Sequence, residues 1–364
     1  MKVKFFDFNK ENNSYIDNVL ASVADTLKSG HFILGPKVNQ FESDFCDYLG
    51  ADYCLGVGNG LDAIKIILMA IGVNQQSEVI VPAHTFIATW LPVTDLGAKI
   101  VPVEPDPHTY NMDIDAVERL ITKKTKAIIA VHLYGRPVDV ISLKSLGDQY
   151  GIPVIEDVAQ AHGADVSQGI KCGSVGIAAA FSFYPTKNLG ACGDAGAVVT
   201  NDASLYKKMK LIRNYGSSEK YKHECYGINS RMDEVQAAIL IEKLNTLDEL
   251  IHERKRIASY YDEHISSNEL ICPELVSNHV WHQYVLRVKN REDFIKHMQD
   301  CGIETLIHYP IPPHLSGVYL NEFSSVDFPI TESICNQVVS LPIYPGLSEQ
   351  ELAWVTSSCN TFHS

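Results

Sequence analysis

The chain has 364 residues, of which 46% are hydrophobic and 20% charged, a composition typical of globular proteins. This length allows a large core and predicts two unequal domains. The formal net charge of −14 argues against the basic surface that nucleic acids and anionic membranes require. An anionic ligand would therefore need local hydrogen-bond donors.

The cysteines and the N-terminus indicate the compartment. The nine cysteines show neither a CxxC pair nor the spacing of a metal site. The first ten residues, MKVKFFDFNK, are too short and too polar for an export signal, and no apolar run approaches transmembrane length. These features predict a soluble, reduced, cytoplasmic protein with no metal and with no nucleic-acid or membrane partner.

Short apolar runs alternate with amphipathic stretches between about residues 53 and 200. The apolar runs predict strands at 53–57, 78–82, 99–104, 127–132, 153–157, 178–183 and 196–200. The amphipathic stretches predict helices at 61–71, 87–96, 114–122 and 142–150. Strand–helix alternation with continuous apolar strands predicts an α/β fold with a mostly parallel sheet that is covered on both faces.

After residue 202 the pattern becomes helical, over 205–213 and then through a long stretch at 232–263. A proline-punctuated region at 272–313 and a helical tail follow. The change of pattern predicts a domain boundary inside the long helix, near Asn245. We expect a large α/β domain over residues 1–245 and a smaller α+β domain over residues 246–364.

The segment GVGNGLDAIKIIL, which starts at Gly56, has the character of a phosphate-binding turn. Its glycines would let the backbone approach a ligand, and the first N–H groups of the following helix would bind an anion. A dinucleotide-binding fingerprint is one alternative, but Leu61 stands where the third glycine of G-x-G-x-x-G is required. A plain tight turn between strand and helix is the other.

The segment PVIEDVAQAHGA ends a predicted strand with two carboxylates, Glu156 and Asp157, followed by Gln160 and His162. A carboxylate that faces a pocket at a strand end can hold a pyridine nitrogen in its protonated form, which makes the ring an electron sink. A helix cap is an equally good interpretation of Asp157. A metal site is disfavoured, because no second carboxylate or histidine cluster stands at ligand spacing nearby.

Lys187 lies in FSFYPTKNLGACGDAGAVVT, after a predicted strand and before a glycine-rich stretch. An amine is a nucleophile only when it is deprotonated, and partial burial lowers its pKa toward that state. Lys187 therefore suits an imine bond to a carbonyl cofactor, with a solvated loop charge as the alternative. Ser182 either donates to a phosphate or is an ordinary strand-end hydroxyl. Asp157 and Lys187 are one predicted strand apart, so they could flank the same ring.

Five motifs in this order resemble the DegT/StrS family of pyridoxal-phosphate sugar aminotransferases. The motifs are GNGLDA, PAHTFIATW, EDVAQAHGA, FSFYPTKNLGACGDAG and YGINSRMDEVQAA, and together they cover nearly the whole chain. The resemblance implies the aspartate aminotransferase-like fold called fold type I, with pyridoxal 5′-phosphate as cofactor. It also implies a homodimer whose active sites lie across the subunit interface.

The resemblance implies a role for each matching residue. Lys187 is the residue that binds the cofactor covalently, and Asp157 pairs with the ring nitrogen. The other implied cofactor contacts are Gly60, Leu61 and Ser182 at the phosphate, Phe86 stacked on the ring, Gln160 near the ring hydroxyl, and Asn229 at the phosphate of the other subunit. Judged without the resemblance, Asn229 is a loop residue before a helix. One departure is Asn59, which stands where the family often has serine.

A branch of the family that deoxygenates sugars has histidine in place of Lys187, so this chain is expected to transaminate. The segment SFYPTKNLGACGDAG is similar to enzymes that aminate C-3 of nucleotide-linked 3-keto-6-deoxyhexoses. The implied substrate is a dTDP-3-keto-6-deoxyhexose, the implied donor is glutamate, and the product would serve a surface polysaccharide such as an O-antigen or a glycosylated metabolite. Candidates for sugar recognition are Tyr184, His308 and Tyr309; the last two could equally belong to a proline-rich loop.

Three alternatives stay open at this point. The enzyme could act at C-4 or on a UDP-3-keto sugar. It could instead be a nicotinamide-dependent oxidoreductase, which would need the fingerprint that Leu61 breaks. A non-catalytic regulatory homologue is the third alternative, and it would be expected to lack Lys187 or Asp157.

Overall fold

A seven-stranded sheet organises the N-terminal two thirds of the molecule. The computed structural model describes residues 1–11 and 15–363. The strands are β1 (Tyr53–Val57), β2 (Glu78–Pro82), β3 (Lys99–Val103), β4 (Thr125–Val131), β5 (Val154–Asp157), β6 (Asp165–Ser167), β7 (Ile170–Lys171), β8 (Ala178–Ser182), β9 (Gly196–Thr200), β10 (Ser217–Glu219), β11 (Lys222–His223), β12 (Leu270–Ile271), β13 (Tyr284–Val288) and β14 (Val338–Leu341).

The large sheet has the strand order β1-β9-β8-β5-β4-β2-β3. Strand β9 runs antiparallel to its neighbours β1 and β8, and the other neighbouring pairs are parallel. Alternate residues of β4 enter different cores: Ala127 and Ile129 pack on one face, and Ile128 and Ala130 on the other. Burial on both faces explains the continuous apolar strands. The predicted mostly parallel, doubly covered sheet is confirmed.

Helices cover the sheet and build most of the C-terminal third. They are α1 (Phe8–Glu11), α2 (Ile16–Ser29), α3 (Pro36–Leu49), α4 (Gly60–Ala70), α5 (Leu91–Asp95), α6 (Ile114–Leu120), α7 (Val140–Tyr150), α8 (Ala203–Ile212), α9 (Glu234–Leu244), α10 (Leu247–His264), α11 (Arg291–Asp300), α12 (Pro329–Gln337) and α13 (Glu349–Asn360). Within the described ranges, none of the helices is both long enough and apolar enough to span a membrane.

Two predicted helices are divided in the structure. The stretch 87–96 forms a 3₁₀ turn at Ile87–Thr89 and then α5, because Pro92 in the first turn of α5 lacks the N–H that would continue the preceding turn. The stretch 232–263 forms α9 and α10. Thr246 ends the first of these, since its hydroxyl and its main-chain N–H both donate to the carbonyl of Lys243. The single long helix was therefore a wrong prediction.

The C-terminal part has its own sheet and core. Strands β12, β13 and β14 form an antiparallel sheet, and one face of it packs on a cluster that includes Ile257 of α10, Phe294 of α11 and Leu352 of α13. Val3 belongs to the same cluster and bridges Ile303. The predicted boundary near residue 245 falls at the break between α9 and α10 and stays a prediction. The first residues pack with the C-terminal part, although the predicted limits group them with the larger domain.

Glu156, the first of the two carboxylates at the end of β5, anchors a loop. One carboxylate oxygen of this fully buried residue accepts from His132 Nε2 at 3.0 Å and from the N–H of Gly173 at 2.7 Å. The other accepts from the N–H groups of Val175 at 2.9 Å and Gly176 at 2.7 Å. Burial alone would raise the pKa of Glu156, but these hydrogen bonds hold the pKa below its ordinary value. Glu156 therefore ties β5 to the loop that leads into β8.

We expect Glu156→Gln to lower the free energy of unfolding by about 2–4 kcal/mol at neutral pH, because the amide places a donor against backbone donors. The urea midpoint measures the loss, with the exposed Glu249→Gln as control. The folded pKa lies below the ordinary 4.5, so the contribution of Glu156 is present above that pH and is lost as pH falls through the folded pKa. The two proteins should therefore converge in acid, and equal midpoints at neutral pH would contradict the anchoring role.

Candidate active site

The predicted site residues gather at the carboxyl edge of the large sheet. Asp157 ends β5, Lys187 follows β8, and Phe86 follows β2. Strands β8 and β5 are parallel neighbours, and β2 is separated from β5 only by β4. Because parallel strands end on the same side, the loops after them open on one cleft.

Lys187 is held in a tight turn after β8. Its main-chain N–H donates to the carbonyl of Tyr184 at 2.8 Å. The turn closes at Gly190, where a Cβ atom would lie 2.3 Å from the carbonyl oxygen of Pro185, so only glycine fits. Part of the Lys187 side chain stays exposed, but desolvation of the amine lowers the pKa of Lys187 to about 8, partly offset by the negative charge of Asp157. An appreciable fraction of the amine is therefore neutral and nucleophilic near neutral pH.

Asp157 is a buried carboxylate, and none of the cationic side chains in the described part of the chain contacts it. Its Oδ1 accepts from the N–H of Ala159 at 3.2 Å and its Oδ2 from the hydroxyl of Thr89 at 2.9 Å. Burial raises the pKa of Asp157, against the two hydrogen bonds and the charge of Lys187. Among the described residues, Asp157 forms no ion pair within 4.0 Å. An unpaired buried carboxylate is costly, so a protonated pyridine nitrogen fits here. The helix-cap interpretation is wrong, because a turn and not a helix follows β5.

Aromatic and amide side chains surround the space next to Asp157. Gln160 Oε1 accepts from the N–H of Tyr134 at 2.6 Å, and Gln160 Nε2 donates to the hydroxyl of Tyr309 at 2.8 Å. The rings of Phe86 and Tyr309 lie 5.2 Å apart at an angle of 33°. Phe86 is 50% exposed, which is unusual for a phenylalanine beside a core and suits stacking on a flat ligand.

The start of α4 offers a cradle for a phosphate. Gly60 lies so close to Ser182 that a Cβ atom on it would be 2.7 Å from Ser182 Cβ. The N–H groups of Gly60 and Leu61 belong to the first helical turn, which has no acceptors within the helix, so they suit an anion. Asn59 is the N-cap of α4, because its side-chain oxygen accepts from the N–H of Asp62 at 2.8 Å. This cap explains Asn59 without a ligand contact.

The remaining predicted residues lie around the cleft. The carbonyl of His308 accepts a hydrogen bond from the Tyr134 hydroxyl, and its Nδ1 lies 2.8 Å from the hydroxyl of Ser340. Burial, together with the charge of Lys187, lowers the pKa of His308 to about 4, so the ring is neutral. Tyr184 is 54% exposed in the turn before Lys187. Asn229 is also exposed, and its main chain pairs with Asn214.

Sequence reasoning missed two residues that organise the site. Thr89 donates to Asp157, and it stands in the motif PAHTFIATW from which only Phe86 was selected. Tyr134 binds Gln160 through its N–H and His308 through its hydroxyl. No sequence signal marks Tyr134. Its left-handed backbone conformation, with φ of 59°, becomes visible only in the structure.

Comparison with known proteins assigns the chain to a family. The sequence profile of the DegT/DnrJ/EryC1/StrS aminotransferase family matches residues 14–360. The chain belongs to this family. It is 47% identical over 362 residues to the dTDP-3-amino-3,6-dideoxy-alpha-D-galactopyranose transaminase of Aneurinibacillus thermoaerophilus, and the match covers 99% of both chains.

Solved structures agree with this assignment. DesV from S. venezuelae matches with a TM-score of 0.95 and 41% identity, over 99% of this chain and 98% of that chain. NtdA from Bacillus subtilis with bound cofactor PMP matches with a TM-score of 0.93 and 32% identity, over 98% of this chain and 84% of that chain. The protein is therefore a pyridoxal-phosphate-dependent sugar aminotransferase of fold type I, and the predicted fold, enzyme class and cofactor are confirmed.

We expect Lys187 of the cofactor-free protein to react with an amine-selective acylating reagent with a midpoint near pH 8, because burial favours its neutral form. About a tenth of the Lys187 amines would be neutral at pH 7. Mass spectrometry of peptides labelled between about pH 6 and about pH 10 measures this, with the exposed Lys207 as internal reference. Asp157→Asn should move the midpoint lower, because it removes the carboxylate that favours the charged amine. Identical pH profiles for both lysines would contradict the desolvation.

Proposed function

We propose that this chain transfers the amino group of glutamate to C-3 of a dTDP-3-keto-6-deoxyhexose and so forms a dTDP-3-amino-3,6-dideoxyhexose. The observation that carries the proposal is the desolvated Lys187 amine beside the buried carboxylate of Asp157. A lysine at this position favours transamination over deoxygenation. The choice of sugar is supported by the near full-length similarity to the Aneurinibacillus transaminase.

In the proposed reaction Lys187 would transfer the proton and Asp157 would stabilise the charge on the ring. When bound, pyridoxal phosphate supplies an aldehyde that captures amines and a ring that withdraws electrons from the neighbouring carbon. Lys187 Nζ would take the proton from the carbon that carries the amino group and would return it later, because a pKa of about 8 suits exchange near neutral pH. Asp157 would accept a hydrogen bond from the ring nitrogen and so keep the positive charge there.

Sugar recognition is assigned to Tyr184, His308 and Tyr309. Tyr309 lies against Phe86 and accepts a hydrogen bond from Gln160, which places it at the edge of the proposed ring site. His308 is neutral, so it would contact a sugar through hydrogen bonds and not through charge. Amination at C-4, or of a UDP-3-keto sugar, is the alternative.

The proposed active unit is a cytoplasmic homodimer that makes amino sugars for a surface polysaccharide or a glycosylated metabolite. The hydroxyl of Ser230 accepts from the N–H of Gly58, so the loop that carries Asn229 lies beside the phosphate-binding turn and at the surface. In a two-fold dimer, the loop that carries Asn229 in each chain could therefore reach the phosphate-binding turn of the other chain. The cysteines are free thiols, which suits a reducing compartment. The proposed domains are residues 1–245 and 246–364.

We expect incubation with glutamate and dTDP-3-keto-6-deoxyglucose or its galacto epimer to give a 3-amino sugar, identified by NMR. Lys187→Ala should abolish turnover, and Asp157→Asn should lower kcat at least about 100-fold while much of the cofactor stays bound. The exposed Lys207→Ala is the matched control and should keep full activity. A higher kcat/KM for a 4-keto substrate or a UDP-3-keto sugar would select the alternative.

We expect mixed dimers of Lys187→Ala and Asn229→Ala chains to recover activity if Asn229 acts on the other subunit. In such a dimer one site has both wild-type residues and the other has both defects, so statistical mixing gives about a quarter of wild-type activity. Lys187→Ala mixed with Asp157→Asn is the matched control. It should show no recovery, because both residues act within one chain. No recovery in the first mixture, with subunit exchange verified and both parents inactive, would contradict the role of Asn229.

A further inference from the structure

Two buried threonines, Thr85 and Thr89, lie next to the proposed ring site. Thr85 is 2% exposed and Thr89 is 1% exposed, and both follow β2 in the motif that contains Phe86. Their hydroxyl oxygens lie 2.9 Å apart, and the Thr89 hydroxyl lies 2.9 Å from Asp157 Oδ2. A buried hydroxyl is costly unless it is hydrogen-bonded. Here the hydroxyl of Thr85 is hydrogen-bonded to that of Thr89, and the hydroxyl of Thr89 to Asp157.

The two threonine hydroxyls allow only one assignment of donors and acceptors. A hydroxyl has a single proton, and an ionised carboxylate can only accept. The proton of Thr89 is therefore donated to Asp157 Oδ2, and the Thr89 oxygen accepts from the hydroxyl of Thr85. Hydrogen bonds in a series polarise one another, so Thr85 strengthens the bond that Thr89 makes.

The carboxylate that receives this bond is held against a desolvation penalty. Burial favours the protonated form of Asp157. The titratable or charged groups that act on Asp157 from the surrounding elements are Lys187 after β8, His132 after β4 and Tyr309 of the C-terminal part. None of them forms an ion pair with Asp157 in the described residues, so direct hydrogen bonds are the nearest stabilisation of its charge.

We propose that Thr85 and Thr89 are positioning residues that fix the Asp157 carboxylate in its ionised form and orient it toward the ring nitrogen of the cofactor. The proposal rests on the proposed role of Asp157. It explains why two hydroxyls are buried at this point, where valine would otherwise fill the same volume. The residues act through Asp157 and need no contact with the sugar.

The test is the dissociation constant of pyridoxal phosphate for full-length variants, measured by absorbance between about pH 8 and about pH 5.5. Each variant is expressed as a ratio to wild type at the same pH, which cancels the titration of the cofactor itself. Thr89→Val removes the donor, Thr85→Val removes only its support, and Thr89→Ser restores the donor. Thr331→Val is the matched control, because Thr331 is a fully buried threonine that donates to a different carboxylate, Glu104.

We expect the ratio for Thr89→Val to be about 10 at neutral pH and to grow as pH falls, because the unsupported carboxylate takes up a proton sooner. Thr85→Val should show a smaller change of the same form, and Thr89→Ser a ratio near one. For Thr331→Val the ratio should not vary with pH. The kcat of Thr89→Val should fall more than its KM for the sugar changes.

Two outcomes would overturn the proposal: a wild-type affinity for Thr89→Val, or a loss that is as independent of pH as that of the control. Asp157→Asn, measured in parallel, separates this failure from that of the proposed function. Its ratio should be largest at neutral pH and shrink in acid, because wild-type Asp157 then also loses its charge. If Asp157→Asn behaves so and Thr89→Val does not, only the role of the threonines fails. If neither variant affects binding, the role of Asp157 fails as well.

Discussion

The burial of Asp157 beside Lys187 at the carboxyl edge of the sheet is the constraint on which the rest of the site depends. Desolvation shifts the pKa values of the two groups in opposite directions. It raises the pKa of the Asp157 carboxyl and lowers the pKa of the Lys187 amine. Their attraction offsets part of this shift. The pair is held because β5, which ends at Asp157, and β8, which leads to the turn of Lys187, are neighbouring parallel strands of the sheet.

The two neighbouring carboxylates at the end of β5, Glu156 and Asp157, have different roles. Successive side chains of a strand point to opposite faces, so Glu156 and Asp157 cannot enter the same environment. Glu156 has all its contacts inside the fold, with His132 and three main-chain N–H groups. Asp157 accepts from two donors within the described residues, Thr89 and Ala159, and faces the cleft. The first carboxylate therefore ties β5 to the loop that leads into β8.

Tyr134, which follows β4, connects the C-terminal part to the same cleft. The N–H of Tyr134 donates to Gln160, and the hydroxyl of Tyr134 donates to the carbonyl of His308. Gln160 also donates to Tyr309. These bonds join residues in the loops after β4 and β5 to the proposed sugar-binding segment. A shift between the two parts of the molecule would therefore change the surroundings of the ring and the sugar contacts together.

The sequence by itself determined the strands 53–57, 78–82 and 196–200, the covered parallel sheet and the family, and it predicted the roles of Lys187 and Asp157. Continuous apolar runs and short motifs are local signals, and local signals can be read without coordinates. Only the tertiary structure decided that Thr89 supports Asp157, that Asn59 is a cap and that Thr246 divides the long helix. Thr89 and Asp157 are 68 residues apart, and such contacts arise from packing between distant segments, which leaves no spacing in the sequence to reveal them.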